Sequence, residues 1–406
     1  MKSKLMIAVF AASIAGPALA GDPIVLNSQI NLGPIQGALN VVVKKANEAA
    51  STATAIANTA SVHVEGRPVE IKNDQSNQGV VTANSSVTAE QIAGPTIATS
   101  LAYGNALQTG GVDAPTLLGG PQVNAAGEEG LRPDVTATTL VALDKGSSIA
   151  ASAAAIQNVS TSTLQGGDFT AQVSQSAQAN SSASSASFAL EAFGGTTNTA
   201  VANANAFSSH TSGATVDVDL QQSPNGELTF ASSEIGIAAA KDVVGAANAL
   251  ANNATIDNSF GFVDVTATQD NTSFVRAESF VTLENFDGFG SSTAFGVGNS
   301  LTVSNFGSDV LVDATQTNQA DIVSISEFAG SSFQGAFAST NATAFGNALT
   351  ATTCSTCGAA VTGFSRQVNA GQVTAQSVLV GGTLGSAIGS SAAIGNSATF
   401  QSVRVD

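Results

Sequence analysis

Hydrophobic and polar residues alternate with a period of two through most of the chain. Thr343-Ala344-Phe345-Gly346-Asn347-Ala348-Leu349-Thr350 and Phe274-Val275-Arg276-Ala277-Glu278-Ser279-Phe280-Val281 are clear instances. Alternation over about four to eight residues, bounded by Gly, Asn, Asp and Ser, predicts strands with one face turned inward.

The pattern also recurs at long range. The segments starting at Val263, Leu311 and Val361 each form a short alternating strand, and their glutamines Gln269, Gln316 and Gln367 are 47 and 51 residues apart. A second landmark follows about thirty residues later: Gly298-Asn299-Ser300, Gly346-Asn347-Ala348 and Gly395-Asn396-Ser397. Walking back at the same period finds Gln-x-Asn at Gln29, Gln75, Gln122 and Gln178, while the unit at Gln221 lacks the Asn. The tail landmark follows at Asn58 and plainly at Gly104-Asn105-Ala106, and more weakly at Asn158, Asn203 and Asn248. About eight units of about 48 residues tile residues 21–406. The third is the most degenerate, with Pro115, Pro121 and Pro133 in extra residues that read as a loop near 112–134.

One such unit carries too little apolar side chain for a core of its own, so it must stack on its neighbours. The predicted fold is all-β, a parallel β-helix-like solenoid. Two coils per unit would give about sixteen coils and a rod on the order of 80 Å at a ~4.8 Å spacing. Stacking sets Gln29, Gln75, Gln122, Gln178, Gln221, Gln269, Gln316 and Gln367 in one amide ladder, and Asn105, Asn299, Asn347 and Asn396 in another. Of 20 phenylalanines, the 19 beyond Phe10 lie at or after Phe169. That divides residues 21–167 from 168–406 and predicts a different coil width or a different task for the first part. The alanine-rich stretch Leu39 to Thr59 reads by propensity as a short helix capping the open edge, and equally as the tail of a repeat.

Composition narrows the function. Twelve Lys and Arg stand against 29 Asp and Glu, a formal charge of −17, which excludes a basic nucleic-acid-binding surface. Small residues in excess, with no Trp and one Tyr, suit a thin core. Lys2 and Lys4, an apolar run from Leu5 to Gly16 and Ala18-Leu19-Ala20 before Gly21 predict an export leader over residues 1–20. Its loss would take the charge from −17 to −19. In an oxidising exterior Cys354 and Cys357 are expected to close a local disulfide.

Candidate chemistry is sparse. Asp217 with Asp219, and Glu128 with Glu129, are carboxylate pairs, yet no cluster of Lys, Arg or His accompanies them as a lyase or hydrolase site requires. His63 and His210 have no triad context, and no phosphate loop or calcium nonapeptide array is present. No catalytic, cofactor-binding or metal-binding residue is expected, and the chain reads as a non-enzyme.

A cleaved leader, an acidic chain poor in aromatics other than Phe, and degenerate units marked by Gln-x-Asn and Gly-Asn-Ala resemble the holdfast-anchor proteins of stalked alphaproteobacteria, the HfaD type. Curlin-type amyloid subunits are similar in their regularly placed Gln and Asn, with shorter and more uniform units. The resemblance implies a non-catalytic protein on the outer surface, exported through a curli-type outer-membrane pore, that works with other anchor proteins to fix a polysaccharide adhesin to the cell. Self-association is left open. An amyloid-like fibre subunit and a carbohydrate-active β-helix enzyme are the alternative readings.

Overall fold

The computed structural model describes residues 23–125, 133–331, 336–354 and 358–403. The predicted leader, Glu128, Glu129 and Cys357 lie outside the described residues.

Twenty-four strands among the described residues form three parallel sheets of eight strands each. The first coil is β1 (Ile24–Asn31), β2 (Ile35–Ala46) and β3 (Ala49–Glu65). The chain then steps up one level, so that β4 (Val69–Asn77) pairs in parallel with β1 and sets Gln75 against Gln29. The same circuit recurs until the eighth coil, β22 (Val361–Asn369), β23 (Val373–Gly381) and β24 (Ser386–Val403). The protein is an all-β parallel solenoid of eight repeats, as the periodicity predicts.

Each repeat makes one coil, not two. Seven steps of about 4.8 Å give a stack on the order of 34 Å, less than half the expected rod. The cause lies in the third sheet, where a strand such as β6 (Pro95–Val112) runs for 18 residues. Its alternation slips once: Gly104 and Asn105 both face inward, and the pairing of β3 with β6 passes over Ala57 and Gly104. The Gly-Asn landmark is therefore a bend within one long strand and not a turn between two short ones.

Three other expectations change. Leu39 to Thr59 forms the end of β2 and the start of β3, because inward Val41, Val43, Ala53 and Ala55 alternate with exposed residues and can be buried only as strands. Pro115 precedes a strand, β7 (Thr116–Asn124), and Pro121 lies inside it, so residues 116–124 of the presumed loop are sheet. Pro121 is tolerated where Gly120, at φ 126°, breaks the pairing with Asn73 and Asp74. Coil width does not change where phenylalanine begins: the strands have 9, 12 and 18 residues in the second coil and 9, 12 and 17 in the fourth.

The interior is three apolar columns in a row. One lies between the first sheet and the far arm of the third, around Ile71, Leu118, Phe169 and Phe207. The middle one is largely alanine, including Ala83, Ala102, Ala155 and Ala202, and brings the second and third sheets close together. The last packs around Val87, Ile149, Val281 and Phe328. Polar seams run between them.

Candidate functional site

The seam between the first and middle columns carries the amide rows. Gln75 Nε2 donates to Gln29 Oε1, and Gln122, Gln175, Gln222, Gln269, Gln316 and Gln367 each donate to the Gln one coil earlier, at 2.7–2.9 Å. The second Nε2 hydrogen goes across the seam to a third-sheet carbonyl, as from Gln75 to Ala106 and from Gln122 to Val159. The asparagines run the opposite way. Asn58 Nδ2 donates to Asn105 Oδ1, and the row continues through Asn158, Asn205, Asn252, Asn299 and Asn347 to Asn396 at 2.7–3.0 Å. Several of these also donate back to the first sheet, Asn105 to Val123 O and Asn299 to Thr317 O. Most of these amides thus join two coils along the axis and two sheets across it.

Gln178 and Gln221 are not in the row; their side chains point outward, and Gln175 and Gln222 take the inward places. Alternation decides this, since Phe169, Ala171 and Val173 in β10 (Phe169–Ala177), and Val216, Val218 and Leu220 in β13 (Val216–Pro224), already face inward. Asn180, which completes the misleading motif, serves a turn, where its Oδ1 accepts the Glu227 and Leu228 N–H groups. Asn203 and Asn248 likewise give way to Asn205 and Asn252.

A second asparagine row lies two residues beyond the glutamines. It joins Asn31, Asn77 and Asn124, then Asn271, Asn318 and Asn369, each bond being 2.7 Å. Asn31 and Asn77 also donate to the carbonyls of Gly33 and Gly79, two residues on. In the fourth coil Ala177 replaces the asparagine, and Gln157, at the bend where other coils have Gly or Ala, donates to Ala179 O in its stead.

The other seam is made of hydroxyls and was missed by the sequence reading. Ser85 Oγ donates to Ser51 Oγ at 2.7 Å, Thr139 to Ser100 at 2.9 Å, Ser292 to Ser279 at 2.9 Å and Ser326 to Ser292 at 3.0 Å. A signal existed: Ser85, Ser185, Ser279, Ser326 and Ser377 each stand ten residues after a row glutamine. Cys354 ends β21 (Phe337–Cys354), is buried, and is disulfide-bonded.

These seams are closed to ligands; the outer face of the third sheet is not. His63, Gly110, Thr163, His210, Asp257 and Ser304 stack in register, one per coil, and line a groove of about 710 Å³ that runs along the axis. The two histidines, remote in sequence, thus share one row. His210 Nδ1 is 3.4 Å from Asp257 Oδ2. Beside the groove runs a polar row through all eight coils: Ser61, Gln108, Thr161, Ser208, Thr255, Thr302, Thr350 and Thr399. Asp217 and Asp264 meet on the outer face of the first sheet, and burial, then the charge of Asp217, raises the Asp264 carboxyl above its ordinary value. Asp219 lies opposite Thr266. Among the described residues no three His, Cys, Asp or Glu are grouped to hold a metal ion.

A family model described as holdfast attachment protein D matches residues 43–321, more than half of the chain. No curated protein and no solved structure matches.

Proposed function

Because the chain belongs to the holdfast attachment protein D family, whose role is structural attachment of the holdfast at the cell envelope, we propose that it does so as a rigid, non-catalytic, multivalent binder of the adhesive polysaccharide. The polar row from Ser61 to Thr399, with the groove beside it, supports this reading. It presents a hydroxyl or amide about every 4.8 Å along one stiff face.

A polysaccharide laid along that face meets equivalent donors and acceptors coil after coil. A single such hydrogen bond contributes only about 0.5–1.5 kcal/mol net in water. Many engaged together on a preorganised surface make attachment firm, because each new contact after the first is intramolecular. Rigidity matters here, and the doubly bonded amides supply it. Export by the leader, passage through a curli-type pore and cooperation with other anchor proteins complete the reading.

The test is co-sedimentation of the exported protein with purified holdfast polysaccharide. Replacing Thr161, Thr255, Thr302 and Thr350 by Val keeps the strands and removes the hydroxyls; binding should fall by at least tenfold with an unchanged circular dichroism spectrum. Undiminished binding would move the site elsewhere. Cells lacking the gene should shed adhesive into the medium.

A further inference from the structure

The two ends of the stack are unlike each other and complementary. Within the stack, each row glutamine uses its Nε2 toward the preceding coil and its Oε1 toward the following one. At the first coil Gln29 Nε2 donates only to Thr59 O among the described residues, so one N–H faces off the end. At the last coil Gln367 donates to Gln316 and to Ser397 O, and its Oε1 faces off the other end. Asparagine rows give the inverse pair: Asn58 Oδ1 faces off the first coil and Asn396 Nδ2 off the last. Donor therefore meets acceptor only when the last coil of one molecule is set on the first coil of another.

The outward side chains agree with that pairing. Interior first-sheet strands carry polar outward residues, such as Glu70, Lys72 and Asp74 in β4. The end strands keep Ser28, Thr362 and Arg366 there but add large exposed apolar residues. On β1, Leu26 and Ile30 are 73% and 65% exposed, and on β22, Phe364 and Val368 are 62% and 43% exposed. Continuing the coil register from β22 onto β1 places Phe364 over Leu26 and Val368 over Ile30, and in the second sheet Val380 over Val42. These side chains, solvent-exposed in one molecule, become cross-strand apolar pairs in two. Three parallel strand edges on each end would pair at the same time.

We propose that this protein assembles head to tail, the last coil of one copy pairing with the first coil of the next, in register. Such a contact is heterologous and does not close, so it yields a linear filament. The polar row on the third sheet would continue across each junction from Thr399 to Ser61 of the next copy.

The exported protein is followed by analytical ultracentrifugation and negative-stain microscopy as its concentration rises. Particles of constant width should lengthen in steps of one stack. Two surface variants decide polarity: Leu26→Lys with Ile30→Lys blocks the first coil, and Phe364→Lys with Val368→Lys blocks the last. Each alone should stay single, with a wild-type circular dichroism spectrum, while an equimolar mixture should give pairs and nothing longer. Single particles at every concentration, a wild-type species that stops at a pair, or a mixture that stays single would each overturn the proposal.

Discussion

Two amide rows lie two residues apart on the first sheet, yet one is continuous and the other is not. The glutamine row keeps its residue in all eight coils, whereas the row begun by Asn31 lapses at Ala177 and Pro224. Their partners explain the difference. Each row Gln supplies a bond to the coil below and one across to the third sheet, and nothing nearby can replace it. The asparagine's local duty is a carbonyl two residues on, and Gln157 reaches that carbonyl from the bend when Ala177 leaves room. A position is held where its work has no substitute.

The largest effect expected from breaking that contrast is at the centre of the continuous row. Gln222→Leu removes its own bonds and strands Gln269 Nε2 and Gln175 Oε1 in the interior. Each unmade buried bond costs about 1–3 kcal/mol, so a loss of about 2–5 kcal/mol is expected in urea unfolding. Next comes the substitute pair. Gln157→Gly should cost about 1–3 kcal/mol and Ala177→Asn alone should also destabilise, while the two together should recover most of the loss. Simple additivity in that cycle would mean that Gln157 does not stand in for the asparagine. A smaller effect belongs to the hydroxyl seam: Ser292→Ala should cost about 1 kcal/mol, since Ser292 links Ser279 and Ser326. The smallest lies outside the rows, at Asp264. Its raised carboxyl means that ionisation disfavours the folded chain once pH exceeds the folded-state value, and protonation relieves it. Asp264→Asn should therefore raise the melting temperature slightly at neutral pH and leave it unchanged near pH ~3, where the group is neutral in both states.

Strands, period and parallel stacking were all legible, because alternation and self-similarity report directly on burial. The number of coils per repeat was not. It depends on whether Gly104-Asn105 and its equivalents turn the chain around or only bend it, and the same residue types do both. Six of the eight row glutamines were found through Gln-x-Asn; Gln175 and Gln222 were hidden because Ala177 and Pro224 removed the asparagine half of the motif. Reading inward parity from Val173 or Leu220 would have recovered them. Side-chain rows on the outer face, such as the one joining His63 to His210, depend on the register between coils. An uneven insertion such as that near Pro121 and Pro133 hides that register from a sequence.

The opposed sense of the two kinds of row has an electrostatic outcome. A file of aligned amides is a line of dipoles whose total moment would grow with every added coil, as in a long helix. Here the glutamine file points one way along the axis and the asparagine files the other, so the continuous file from Asn58 to Asn396 offsets the glutamines coil by coil and only the interrupted file from Asn31 to Asn369 is left over. Height can then increase with far less polarisation than if every file ran the same way.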